Sequence, residues 1–105
     1  MPCETYRVEA SGEYFEEFVR LPAGHQRRVV RLLSHLKADA RAPFAGVTAL
    51  RGEWSGVYEF RISQSRGARR LFFTIDDAEC VVVLEGIATH PTWDPGRDAR
   101  GIRRL

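Results

Sequence analysis

Three side chains capable of phosphate and proton chemistry, Arg61, Arg70 and His90, stand at or near the ends of successive apolar runs in the second half of the chain. Glu59 lies two residues before Arg61, on the same side of a period-two alternation. Arginine presents a planar fork of donors that stays charged and matches phosphate oxygens two at a time, so clustered arginines on an open sheet suggest phosphodiester recognition. Histidine is the side-chain type that exchanges protons near neutral pH, and a carboxylate beside it completes an acid and base pair. Each residue also has a structural role open to it. Glu59 fits an ordinary cross-strand ion pair, and His90, just before Pro91, fits a strand-end residue that satisfies backbone groups.

These groups need a sheet to position them. Over residues 57–63, Tyr58, Phe60 and Ile62 fall on one side and Glu59, Arg61 and Ser63 on the other, the pattern of a half-buried strand. Residues 69–76 repeat the design, with Leu71, Phe73 and Ile75 opposite Arg70, Phe72 and Thr74. A third run, 80–88, is apolar on both sides except at Glu85, which fits partnership with an arginine across the sheet. The turns at 64–67 and 76–79 are short enough for hairpins.

Upstream, residues 5–10 alternate as a first strand and Ser11 is a natural helix N-cap. Phe15, Phe18 and Val19 then form a short apolar stripe, with Glu13, Glu16 and Glu17 in the opening turns. Leu21 and Pro22 interrupt this helix, and residues 23–38 place Val29, Leu32, Leu33 and Leu36 on one face of a second. The pair reads as an αα-hairpin, with Arg27, Arg28, Arg31 and Ser34 on its outer face and His25 and His35 as surface residues. Residues 39–52 show little periodicity and read as a connection, and Asp94 with Pro95 fits the start of a short final helix. The predicted fold is α+β, ordered β-α-α-β-β-β, with an antiparallel sheet of four strands, the helical hairpin on one face and a short C-terminal helix or tail.

At 105 residues the chain is expected to be one domain, 1–105, with 44% hydrophobic and 29% charged residues as in a soluble globular protein. No apolar run approaches the ~20 residues that span a bilayer, and the opening residues lack a signal-peptide core, so a cytoplasmic location is expected. Cys3 and Cys80 fit no metal-ligand spacing and read as reduced, partly buried thiols. The net charge is only +2, but just one of the 16 basic residues, Lys37, is a lysine, and Arg97, Arg100, Arg103 and Arg104 crowd the tail. Codon composition alone can produce such an arginine surplus.

The element order and three local motifs resemble the RelE/ParE superfamily of bacterial toxins from type II toxin-antitoxin modules. The motifs are Ala42-Pro43-Phe44-Ala45-Gly46 followed by Leu50-Arg51-Gly52; Ser55-Gly56-Val57-Tyr58-Glu59-Phe60-Arg61-Ile62; and Arg70-Leu71-Phe72-Phe73 followed by Asp76-Asp77 and the apolar run 81–84. The resemblance implies a metal-free endoribonuclease with no cofactor, cleaving messenger RNA in the cytoplasm, in some members within the ribosome, and neutralised by a cognate antitoxin protein. By motif position, Arg61 and Arg70 would hold the scissile phosphate, His90 would be the general acid and Glu59 a candidate base. Arg51, Arg69, Trp93 and Arg97 would contact RNA. The chain departs from the pattern in having Thr48 where YoeB-like members carry a glutamate base, Glu59 where RelE-like members carry a lysine, and no terminal tyrosine, Trp93 being the nearest aromatic. Two other readings therefore stay open: a ParE-like toxin that binds DNA gyrase without chemistry, and a degenerate member that only binds antitoxin.

Overall fold

In the computed structural model, which describes residues 3–91 and the strand Arg103–Arg104, the order is β1 (Arg7–Ala10), α1 (Gly12–Phe18), α2 (Ala23–Asp39), β2 (Val47–Ala49), a 3₁₀ turn (Gly52–Trp54), β3 (Val57–Arg61), β4 (Arg70–Asp76), β5 (Val81–Ala88) and β6 (Arg103–Arg104). The strands form one sheet in the spatial order β2-β3-β4-β5-β1-β6. The fold is α+β with the expected helical hairpin, but the sheet has six strands rather than four. β2 escaped notice because three half-exposed residues carry no readable period, and β6 is only two residues long. Nor is the sheet purely antiparallel. β1 runs parallel to β5, in register Arg7↔Val81 through Ala10↔Leu84, because the helical hairpin carries the chain from β1 to the far edge before the meander returns. Asp94 and Pro95, where a final helix was expected, lie outside the described residues.

Local chemistry explains the helices. Ser11 has extended backbone angles, accepts a hydrogen bond from the Tyr14 amide at 3.2 Å and donates to the Glu85 carbonyl at 2.7 Å. One hydroxyl therefore caps α1 and ties it to β5, an N-cap worth about 1 kcal/mol. The apolar stripe of α1 differs from expectation. Tyr14 is its buried residue, stacked on Phe18 at 5.6 Å, while Val19 is 71% exposed because the helix has already ended at Phe18. Burial pushes the Tyr14 phenol up to about 12. On α2, Val29, Leu32 and Leu36 are buried at helical spacing, against Phe60, Ile62, Leu71, Phe73, Val82 and Leu84 of the sheet. His35 is more than a surface residue: its Nε2 meets the Ala42 carbonyl at 2.8 Å and its ring lies 4.8 Å from that of Phe44, clasping the connector to α2.

Two features pin the margins of the sheet. Cys3 and Cys80 are joined in a disulfide across 77 positions, which corrects the expectation of free thiols; separation in sequence carried no hint that β1 and β5 would start side by side. Beside it, Asp77 accepts hydrogen bonds from the Tyr6 hydroxyl at 2.8 Å and from Arg41 Nε at 3.2 Å, and Arg41 also reaches the Tyr58 hydroxyl. The Arg41 guanidinium, then the Tyr6 hydroxyl, hold the Asp77 carboxyl below its ordinary range. Gly46 has φ +94°, accepts a hydrogen bond at its carbonyl from the Arg61 amide at 3.0 Å, and leaves only 3.2 Å between the place of a Cβ and the Phe60 ring. A glycine is required there on both counts.

Candidate active site

The face of the sheet opposite the helices is organised in rows by strand register. Arg61 pairs with Arg70, Glu59 with Thr48 on one side and Phe72 on the other, and Val57 with Thr74. Because Ile62 donates to the Arg69 carbonyl at 3.1 Å, the adjoining Arg61 and Arg70 form a non-hydrogen-bonded pair, the closer of the two antiparallel classes, with Cα atoms about 4.5 Å apart. Like charges directly opposed are destabilising in a sheet, so this pair runs against stability unless an anion joins it.

The surroundings partly offset that repulsion. Arg70 Nη1 donates to the Thr89 carbonyl at 2.6 Å, and Arg70 Nε lies 3.8 Å from Glu59 Oε2, with about a quarter of each side chain exposed. Arg61 has no carboxylate partner among the described residues, and its Nε is buried without a hydrogen-bond acceptor. A buried donor left unpaired costs about 1–3 kcal/mol, which an anionic oxygen would recover. His90, exposed at the end of β5, has Nδ1 3.1 Å from the Thr89 hydroxyl. Thr89 thus touches both candidate groups, its carbonyl holding Arg70 and its hydroxyl meeting His90. Sequence reasoning passed over it because a backbone carbonyl carries no side-chain signature.

The remaining candidates are dispersed. Arg51 is exposed and precedes the 3₁₀ turn. Arg69 points the other way from Arg70, toward the helices, where Nη1 lies 3.2 Å from Glu17 Oε2. Trp93 and Arg97 lie outside the described residues. Glu85 accepts from the Thr74 hydroxyl at 3.2 Å. The face is also less ionic than expected. Val57 and fully buried Phe72 form a second apolar cluster with Leu50, Trp54 and Ala88, so one half of the face is greasy and the other half charged.

Taken together, a close arginine pair, a carboxylate in contact with one of its members and an imidazole at the strand end can bind an oxyanion and move protons on either side of it. A family model described as phage derived protein Gp49-like matches residues 16–88. The chain belongs to the Gp49-like family of phage-derived proteins. None of the curated proteins matches it. Among solved structures, it resembles a YoeB/ParE toxin from Agrobacterium tumefaciens at 14% identity and a TM-score of 0.67, covering 81% of this chain and 99% of that one. It also resembles the archaeal RelE-RelB complex from Pyrococcus horikoshii, at 20% identity, TM-score 0.66 and coverage of 90% and 99%. A YoeB-YefM complex from Staphylococcus aureus aligns at 19% identity and TM-score 0.64, over 82% of this chain and 98% of that chain. This Gp49-like chain therefore has the fold of the RelE and YoeB toxins.

Proposed function

We propose that this Gp49-like protein is a type II toxin, a metal-free endoribonuclease that cleaves messenger RNA in the cytoplasm and is neutralised by a cognate antitoxin. The observation that carries the reading is the directly opposed Arg61 and Arg70, one with a buried unpaired Nε and the other in contact with Glu59. Such a pair is unfavourable in an empty protein and favourable around a phosphodiester that becomes more negative during reaction. Its structural relatives include a heterotetrameric YoeB-YefM toxin-antitoxin complex from Staphylococcus aureus, which supports an antitoxin as the binding partner.

In the reaction, Glu59 removes the proton from a ribose 2′-hydroxyl as its oxygen forms a bond to the adjacent phosphorus. Arg61 and Arg70 bind the phosphoryl oxygens through the transition state. The bond from phosphorus to the 5′-oxygen breaks, and protonated His90 delivers a proton to that oxygen, leaving a 2′,3′-cyclic phosphate and a 5′-hydroxyl. Supporting Glu59 as the base is its register: it stands directly across from Thr48, the connector position that carries a glutamate in YoeB-like toxins. The carboxylate missing from the connector is supplied one strand over. Glu59 is held in place by Arg70 in the free protein, and a bound phosphate would compete for that guanidinium and release the carboxylate for proton transfer.

Expressing the chain without an antitoxin and mapping messenger RNA 5′-ends tests the proposal. New ends should appear in cells, and purified Arg70→Ala should cleave roughly 100-fold or more slowly while keeping its melting temperature. Normal cleavage by Arg70→Ala would remove that residue from the mechanism. Intact RNA in cells with inhibited gyrase would overturn the ribonuclease reading altogether.

A further inference from the structure

Behind the arginine pair, the cationic surface continues around the end of β3. Arg28 on α2 donates from Nη2 to the Arg61 carbonyl at 3.3 Å and sets its guanidinium 5.7 Å from the centre of the Phe60 ring. One turn along, exposed Arg31 joins Arg28, Phe44, Ala45 and Phe60 in lining an open cleft of about 330 Å³. No carboxylate lines this cleft, and among the described residues neither Arg28 nor Arg31 has a carboxylate partner. By contrast Arg7, Arg20, Arg41, Arg69 and Arg70 all do. Among the described residues Arg27, Lys37, Arg51 and Arg66 also lack a carboxylate partner, but Arg28 and Arg31 are the two cations that share this cleft, beside the end of β3 that carries Arg61. Phe44 supplies an aromatic wall, held by His35 and lying 5.9 Å from Phe60.

We infer that the cleft between α2 and the end of β3 is an extended subsite for the RNA strand flanking the scissile linkage, with Arg31 and Arg28 holding a phosphate. The inference rests on the ribonuclease reading for the identity of the strand. Its chemistry is independent of the cleavage step. A phosphodiester chain that crosses from the Arg61 side chain over the end of β3 would reach Arg28, which donates to the Arg61 carbonyl at that strand end. A base lying against Phe44 satisfies the apolar wall, since aromatic faces accept any base without hydrogen-bond readout. An acidic protein segment would meet the same cations, but continuity with the arginine pair favours the strand that the pair itself binds.

The test uses Arg31→Gln, an exposed position outside the proposed catalytic set, with Lys37→Gln on the same helix as a charge-matched control. Binding is measured with an uncleavable oligonucleotide carrying 2′-O-methyl groups, and cleavage with a short substrate spanning only the scissile linkage and with a longer strand. Arg31→Gln should weaken binding of the long oligonucleotide by up to about fivefold, the scale of one exposed ionic contact. It should also flatten the dependence of log affinity on log salt by about 0.7, the value for one phosphate on a single strand. KM should rise for the long strand with kcat unchanged, and the short substrate should be cleaved as before. An unchanged salt slope, an equal effect of Lys37→Gln, or equal losses on short and long substrates would overturn the subsite. If the long oligonucleotide binds in an Arg31-dependent way but no RNA is cleaved, the catalytic reading fails and the subsite stands; cleavage without Arg31 dependence is the reverse.

Discussion

Breaking the Cys3 to Cys80 bridge should cost this small domain a large part of its stability, and the cost can be worked from the separation of the two residues. The bridge closes a loop over 77 positions of the chain. In the chain-entropy account, a loop of that length restricts the unfolded ensemble by about 4.5 kcal/mol at 25 °C. A domain of this size has a total stability of about 5–15 kcal/mol, so the reduced protein would approach its folding threshold. The assay is urea unfolding of the oxidised protein, of the same protein in excess reductant, and of the Cys3→Ser, Cys80→Ser double variant. The last two should coincide, with a lower midpoint and a steeper denaturant slope, because removing the cross-link lets the unfolded chain expand and expose more surface. Cys80 adds an internal control, since it has φ +54° without being glycine. Exchanging Ser for Gly at position 80 in the double variant should recover about 1 kcal/mol by relieving that left-handed backbone. Oxidised and reduced forms within about 1 kcal/mol of each other would refute the loop-entropy reasoning.

Two further outcomes test the scaffold around the site. Gly46→Ala should lower stability by about 1–2 kcal/mol from its positive φ alone, and urea titration that finds the variant within about 0.5 kcal/mol of the parent would show that the connector relaxes freely. Asp77→Asn addresses pH dependence: because the Asp77 carboxyl is held below its ordinary value by Arg41 and Tyr6, its contribution is present above the unfolded carboxylate range and is lost as pH falls through the depressed folded value. The melting temperatures of parent and variant should therefore differ at neutral pH and converge in acid, whereas a constant gap across the range would mean that the charge of Asp77 is not what matters.

How much of this was legible in the sequence depended on whether the information was local. The helices, β3 and β4 could be read because each repeats its own period, Val29, Leu32 and Leu36 at helical spacing and Phe60 and Ile62 at strand spacing, and β5 could be read as a short apolar run between turns. The opposing faces of Arg69 and Arg70 were also available, since Arg69 shares parity with buried Leu71 and so had to point toward the helices. The parallel pairing of β1 with β5 was not local, and neither was the disulfide that depends on it. β2 failed for a different reason. Three residues cannot display a period, and what makes them a strand is the register they find on Val57–Arg61, not their own composition.

The candidate site shows the same division, and it bears on mechanism. Alternation alone could set Glu59, Arg61 and Arg70 on one face, but it could not say that Phe72 on that face would be fully buried and packed with Val57, Leu50 and Trp54. That apolar ledge lies one row from the arginine pair, because Phe72 is the cross-strand partner of Glu59. It removes water from one flank of the Glu59 and Arg70 contact, and charge interactions strengthen where water is excluded. Glu59 therefore has two neighbours on this face: the Arg70 guanidinium at 3.8 Å and the Phe72 side chain across the strand pair. In the proposed reaction, a phosphate arriving at Arg61 and Arg70 would draw the guanidinium toward itself and leave the carboxylate facing the apolar ledge. The greasy half of the face is then part of the proposed chemistry, since it borders the carboxylate that the substrate would free from Arg70.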